Sequence, residues 1–461
     1  MAHSAFSIPE GETHHSNNSG AVSPSWRACI TGLIAAEIST LTRYVDRIIS
    51  YSQSASTAQS LNRLLEGPAV ESVSSVPELC EQLRRFSDCT AIVLDGIFNH
   101  HHDIEELLRA IGSEMSRTSR VVAVMYNPYL RWLYELATRL GLRHGEPPST
   151  FVTSADLGNI CKLSGFEIVR ERPVAFLPWR WGGIGTYINR FLAALPLVRY
   201  MSLAWVVTLR PIKQVTKPSL SVVIPARNER GNIEAALKRF PDLGILPEIV
   251  FVEGHSDDGT WEEIERVAKL YDAKFSIVCL KQSGTGKVDA VRHGLRHARG
   301  EVLTILDADL TMPPELLGRF YEAWCSGLAD FINGNRLVYS MEGNAMRFVN
   351  KLGNIFFAKA LSFVIGARIG DSLCGTKLFS KSDYGRMVRW REDFGDIDPF
   401  GDFELLFPAA VLGLGIVDVP IRYRDRVYGQ TKIRRFRDGF KLMQMTVIGF
   451  LRLRVGAKPR G

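Results

Sequence analysis

Apolar positions along this chain fall into continuous runs and helical stripes that alternate. From Leu220 the sequence LSVVIPARNERGNIEAAL gives an apolar run, a turn at Pro225 to Asn228 and an amphipathic stretch, which predicts strand, loop and helix. EIVFVEGHSDDGTWEEIERVAKLY repeats the unit, with Ile249 to Val252 as strand, Gly254 to Gly259 as loop and Thr260 as helix N-cap. FSIVCL is a third strand before KQSGTGKVDAVRHGLRHARG, and GEVLTILDADLTMPPE is a fourth that ends in two carboxylates, Asp307 and Asp309. Strands alternating with helices predict a parallel, doubly wound α/β sheet with its loops on one edge. Two acids at a strand's carboxyl end suit a hard divalent cation, and that edge is where such sheets bind ligands. The competing reading is a capped turn, with Asp309 starting the helix that Pro313 and Pro314 open.

The ordered segments PARNE, EGHSDDGT, GKVDAVRHGLRHARGEVLTILDADL, DSLCGTKLF and RVYGQTKI resemble the family 2 glycosyltransferases, in particular their dolichol-phosphate mannosyltransferase-like branch, over about Pro218 to Arg454. The resemblance implies a GT-A fold (Rossmann-like, mostly parallel sheet) and sugar transfer from a nucleoside diphosphate sugar with inversion. It places Pro225, Arg227, Glu229 and Glu253 around the nucleoside and Lys287 near the phosphates. Asp307 would face the ribose or the metal's outer shell, and Asp309 would bind Mg²⁺ or Mn²⁺. Gly254 and Thr311 depart from the pattern, standing where relatives carry Asp and Gln. The GTGK of residues 284–287 is no P-loop, because Lys281 and Val288 occupy the positions that need Gly and Ser or Thr.

Further on, Arg336, Arg347, Arg426 and Lys432 are candidates for an acceptor phosphate, since Arg clamps phosphate through paired hydrogen bonds; a solvated basic face is the alternative. With Asp309 and Arg426, Asp402 completes the catalytic candidates. A hydroxyl acceptor needs a base, which Asp402 could supply, whereas a lipid phosphate arrives ionised; the bland role of Asp402 is the N-cap of its helix. The preferred acceptor is a polyprenyl phosphate. The alternatives are a hydroxyl on a glycan or small molecule and a non-catalytic assembly protein.

The first half of the chain predicts helices from Trp26 to Leu65, then strands CTAIVLDGIF and RVVAVMYNP around the helix DIEELLRAIG, a helix capped at Thr153 or Ser154, and a hairpin of FEIVRERPV with LAWVVTLRP. That order is similar to the last half of a class I S-adenosylmethionine-dependent methyltransferase. No Gly-x-Gly turn precedes Asp95, so a truncated, catalytically silent α/β domain is expected. The resulting organisation is a disordered tail at 1–25, the methyltransferase-like domain at 26–213, a linker at 214–219, the GT-A domain at 220–435 and a basic amphipathic segment at 436–461.

Net charge of +7 favours anionic partners, with no nucleic-acid motif. Seven dispersed cysteines fit a reducing compartment. No apolar run is long enough to span a membrane. In the last segment Phe436, Phe440, Met443, Val447 and Phe450 recur at helical spacing among Arg and Lys, as in a helix lying on an anionic membrane surface. A peripheral enzyme on the cytoplasmic membrane face is therefore expected, of unspecified oligomeric state.

Overall fold

The computed structural model of the chain describes residues 26–52, 55–86, 88–100, 103–141, 148–179, 181–339, 348–396, 398, 400–424, 428 and 435–456. The expected tail at 1–25 lies outside these, as do Arg347, Arg426 and Lys432.

Two sheets organise the chain. The first contains β1 (Arg47–Tyr51), β2 (Val70–Val73), β3 (Thr90–Asp95), β4 (Arg120–Tyr126), β5 (Phe166–Val174) and β6 (Ala204–Pro211) in the order β2-β1-β3-β4-β6-β5. Its first four strands run parallel, and β6 lies antiparallel to both β4 and β5. The expected antiparallel pairing of these two strands is present, but the helix Ile184–Ala194 lies between them where a hairpin turn was expected, and Thr153 caps the helix Ser154–Leu163. Trp26 to Leu65 is helix-rich as expected, with the helices Trp26–Thr42 and Ala55–Asn62, but β1 lies between them. RIISY buries Ile48 and Ile49 on opposite faces of the sheet, so neither alternation nor a turn residue marks it as a strand.

The second sheet contains β7 (Leu220–Ala226), β8 (Glu248–Glu253), β9 (Ser276–Lys281), β10 (Val302–Ile305), β11 (Phe331–Asn335), β12 (Lys377–Ser380) and β13 (Ile416–Pro420), in the order β13-β11-β12-β10-β7-β8-β9. Strands β7 to β10 are mutually parallel, β12 runs antiparallel to β10 and β11, and β13 is parallel to β11. Alternate residues of β7 feed the two cores: Val223 packs on one face, while Leu220, Val222 and Ile224 pack on the other. The chain winds outward from β7 through β8 to β9, then returns to the other side of β7 as β10. The winding reverses between β7 and β10, and the carboxyl ends of strands at such a point are where open α/β sheets bind ligands.

A buried charge cluster joins the two sheets. Asp330, just before β11, lies 2.8 Å from Arg120, 3.2 Å from Arg117 and 3.5 Å from Arg210, and its carboxylate also accepts the Gly415 amide at 3.2 Å. Arg120 and Arg210 are among the largest fully buried side chains of the molecule.

Candidate active site

The loops at the carboxyl ends of these strands are held in costly backbone geometry. Asn228 after β7, His255 after β8 and Leu310 after β10 have φ of 57°, 59° and 53°. The left-handed region costs a side-chain-bearing residue about 1–2 kcal/mol, and such strain collects at functional sites. Hydrogen bonds between the loops hold it in place: the Asn228 amide donates to Ser256 Oγ at 3.0 Å, and the Asp257 amide donates to Asn228 Oδ1 at 3.1 Å.

Among the residues that the resemblance sets around the nucleoside, Pro225 is partly exposed within β7 and Arg227 is exposed beyond it. Glu229 and Glu253 are buried and serve the loops: Glu229 Oε2 accepts Asn232 Nδ2 at 2.7 Å, and Glu253 Oε1 accepts the Ser256 amide at 2.5 Å. Gln282 is also buried, with Nε2 donating to Gly286 O and Asp289 Oδ2, both at 2.8 Å. A Cβ at Gly254 would come 3.0 Å from Gln282 Oε1, so Gln282 occupies the space into which an Asp at 254 would grow. Thr260 does not cap its helix. Gly259, at φ 83°, takes the N-cap position, and the buried Thr260 hydroxyl instead accepts the Glu229 amide at 3.0 Å.

The two carboxylates beyond β10 do different work. Lys287, first residue of the helix Lys287–His297, places Nζ 2.5 Å from Asp307 Oδ1. Burial disfavours the Lys287 ammonium, but Asp307, Asp402 and Asp309 outweigh it and hold the group above the usual lysine range. Asp307 is the mirror case: burial would raise its carboxyl, yet Lys287, Lys377 and Arg336 keep it below the ordinary range. Asp309 Oδ1 accepts both the Thr311 amide, at 3.1 Å, and the Thr311 hydroxyl, at 2.8 Å. Thr311 thus braces Asp309. The helix that follows opens separately, at Pro313 and the turn Pro314–Leu316.

Two residues of the segment DSLCGTKLF, given no role from the sequence, complete this site. A Cβ at Gly375 would lie 2.5 Å from Asp307 Oδ2 and 2.7 Å from Lys287 Nζ, so only glycine leaves the ion pair room. Lys377 is fully buried, with its ammonium bonded to Cys374 O and to Asp402 Oδ1. Asp402 occupies the N-cap position of the helix Phe403–Val411, but its side chain makes no capping bond there. Asp398 does that work, accepting the Phe403 amide at 2.8 Å and the Glu404 amide at 2.9 Å. Arg336 sits at the carboxyl end of β11 with its fork on the buried Asp371, Nε to Oδ2 at 2.6 Å and Nη2 to Oδ1 at 2.9 Å. The chain beyond β13 returns to this edge, where the Arg424 amide donates to Thr311 O at 3.0 Å and Tyr428 OH donates to Asp258 Oδ2 at 3.3 Å.

Comparison with known proteins shows the family. Residues 221–387 match the family described as Glycosyl transferase family 2. A dolichyl-phosphate hexose transferase of Haloferax volcanii is 31% identical over 229 residues, covering 49% of this chain and 91% of that protein. The chain is a family 2 glycosyltransferase. A dolichol-phosphate mannosyltransferase of Pyrococcus furiosus is 30% identical over 222 residues, covering 47% of this glycosyltransferase but only 59% of the relative's own length. Among solved structures, a mannosyltransferase from Pyrobaculum calidifontis in complex with GDP-Man and Mn²⁺ is 18% identical, with a TM-score of 0.36, over 60% of this chain and 74% of the other. The second sheet is the expected GT-A α/β fold, preceded by the α/β unit of the first sheet.

Proposed function

We propose that this glycosyltransferase moves a sugar from a nucleoside diphosphate sugar to a polyprenyl phosphate, with inversion and with a divalent metal, Mg²⁺ or Mn²⁺. The observation that carries the acceptor is the Lys377–Asp402 pair. A base that takes a hydroxyl proton must give up its negative charge, and doing so here would leave the fully buried Lys377 ammonium without its counter-ion. An acceptor that is already ionised asks nothing of Asp402. Lys287, Lys377 and Arg336 lie within electrostatic reach of Asp307, each paired with a carboxylate of its own, Asp307, Asp402 and Asp371.

Asp309 and Asp307 fit a metal whose other ligands are diphosphate oxygens. Among the described residues no group of three or more His, Cys, Asp or Glu could hold an ion alone, so the donor must complete the shell. The metal would neutralise the departing diphosphate. The protein's own part is to orient and to screen. Thr311 fixes Asp309, Lys287 sets its charge beside Asp307 and the phosphates, and Glu229 and Glu253 hold the loops that read the nucleoside. In the transfer itself a phosphate oxygen forms its bond to the anomeric carbon as the bond from that carbon to the diphosphate breaks, so the nucleoside diphosphate leaves with the bonding pair.

The two named relatives, one a dolichol-phosphate and the other a dolichyl-phosphate transferase, support a lipid phosphate and hence action at the cytoplasmic membrane face. Among the described residues no helix is long and apolar enough to cross a membrane. The test is transfer from a panel of nucleotide sugars to polyprenyl phosphate and to alcohol acceptors, with and without Mn²⁺. Asp309→Asn should abolish transfer with the fold intact, and the wild type should use polyprenyl phosphate but not alcohols. Transfer to alcohols in the wild type would favour the hydroxyl reading instead.

A further inference from the structure

The helix Ile184–Ala194 is built inside out. Its buried positions are Gly185, Asn189 and Ala194, whereas Ile184, Tyr187 and Phe191 stand exposed at three- and four-residue steps. Polar bonds anchor it instead of an apolar seam. Asn189 Oδ1 accepts the amides of Phe176 at 2.6 Å and Leu177 at 2.9 Å, and Nδ2 donates to Leu177 O at 2.9 Å and Gly185 O at 2.8 Å. Beside the helix, the indoles of Trp179 and Trp181 stack with centroids 6.1 Å apart and are 53% and 57% exposed, while Leu197 beyond it is 84% exposed.

Charge along this segment has one sign. From Arg172 to Asn228 the chain contains no Asp or Glu, while Arg180, Arg190 and Arg199 fall among the aromatic residues. Glu171, just before it, pairs with Arg199 at 3.4 Å and also accepts the Ser154 hydroxyl, and Glu37 on the helix Trp26–Thr42 acts on Arg190. Two further elements with exposed apolar side chains adjoin it. Arg190 Nη1 donates to Gly456 O at 3.1 Å, and Arg454 Nε donates to Val364 O at 2.8 Å, joining the C-terminal segment to the helices Ile184–Ala194 and Phe348–Ile365. The C-terminal helix Arg435–Gly449 buries Leu442 and Met445 but leaves Phe440, Met443 and Val447 exposed. Adjacent apolar patches of this kind mark interaction surfaces, exposed Trp and Tyr suit the headgroup layer of a bilayer, and an excess of arginine suits anionic lipid.

We propose that the segment Phe176 to Met201 of the N-terminal domain is a docking surface for an anionic lipid bilayer, continuous with the C-terminal helix. The inference rests on the lipid-phosphate reading of the acceptor, and the test separates the two. The full-length protein is floated with vesicles of phosphatidylcholine alone or mixed equally with phosphatidylglycerol. Nucleotide-dependent thermal shift and transfer to a short, water-soluble polyprenyl phosphate are followed in parallel. Trp179→Ser/Tyr187→Ser/Phe191→Ser should lower partitioning onto the mixed vesicles at least tenfold with both parallel readouts unchanged. In the wild type, brominated lipid should quench fluorescence that Trp179→Phe/Trp181→Phe lacks. Unchanged flotation of the triple variant, or no quenching difference, would overturn the proposal. So would a wild-type dimer that the triple variant dissolves, since the surface would then be a contact between copies of this chain. Docking without transfer to any polyprenyl phosphate would sink the acceptor reading and leave the docking surface standing.

Discussion

Removing the Asp330 carboxylate tests how the two sheets are held together. Asp330→Ala deletes the shared counter-ion of Arg117, Arg120 and Arg210 at a site closed to water. Breaking a buried pair on one side costs about 3–5 kcal/mol, because the other charge stays buried without compensation. Here the arginines keep other acceptors. Arg120 retains Gly413 O at 2.6 Å, Ser119 O at 2.8 Å and Arg117 O at 2.9 Å, while Arg210 retains Glu167 Oε2 at 2.6 Å. The cost should therefore fall at the lower end, about 3 kcal/mol. Adding Arg120→Met should return part of it, since one uncompensated charge is then gone.

Two assays read this outcome. Urea unfolding gives the stability, and trypsin cleavage after Lys213 gives the interface, because Lys213 O accepts Arg117 Nη1 at 3.3 Å. The pH dependence has a definite sign. Burial alone would raise the Asp330 carboxyl, but Arg120, Arg210 and Arg117 hold it below the ordinary range. A depressed carboxyl stabilises above its unfolded pKa of about 3.9 and loses that stabilisation as pH falls through the lowered folded value. The gap between wild type and Asp330→Ala should thus persist at neutral pH and narrow below about pH 4. A cost under about 1 kcal/mol with unchanged cleavage would refute the reasoning, since the cluster would then hold nothing.

Gly375→Ala should fold normally, because the backbone there does not require a positive φ, but its Cβ would force Asp307 and Lys287 apart. Steady-state kinetics should show kcat/KM down at least about tenfold, or roughly 1.4 kcal/mol; an unchanged value would mean the ion pair is not part of donor binding. Gly254→Asp should raise the donor KM by about tenfold, again roughly 1.4 kcal/mol, by displacing Gln282, and adding Gln282→Ala should recover much of the loss. Equal KM values across wild type, single and double variants would remove Gln282 from the nucleoside pocket.

What could be read along the chain was whatever neighbouring residues decide. Buried parallel strands announce themselves as apolar runs, and β7, β8 and β10 each end in a polar loop, so the edge carrying Asp307 and Asp309 was legible. The partners of those charges were legible only as residues of the segment DSLCGTKLF, not as contacts. Gly375 and Lys377 come from the β12 region, which pairs antiparallel with β10 through Leu303 and Phe379, and no local spacing links them to Asp307 or Asp402.

The same limit hid the capping role of Asp398, since two acids ahead of one helix look alike until the backbone shows which of them faces the amides. It hid Asp330 most completely, because a lone Asp before a strand reads as a turn residue, and its three arginines lie far earlier in the chain. Where that cluster sits gives the N-terminal domain a mechanical part in the reaction we propose. Asp330 stands at one end of the five-residue strand β11, and Arg336 follows its other end, with its fork set on Asp371. The arginines of the first sheet therefore brace the strand that delivers a cation to the active site. The N-terminal domain can serve the proposed transfer in this way, by fixing where β11 begins and so where Arg336 points.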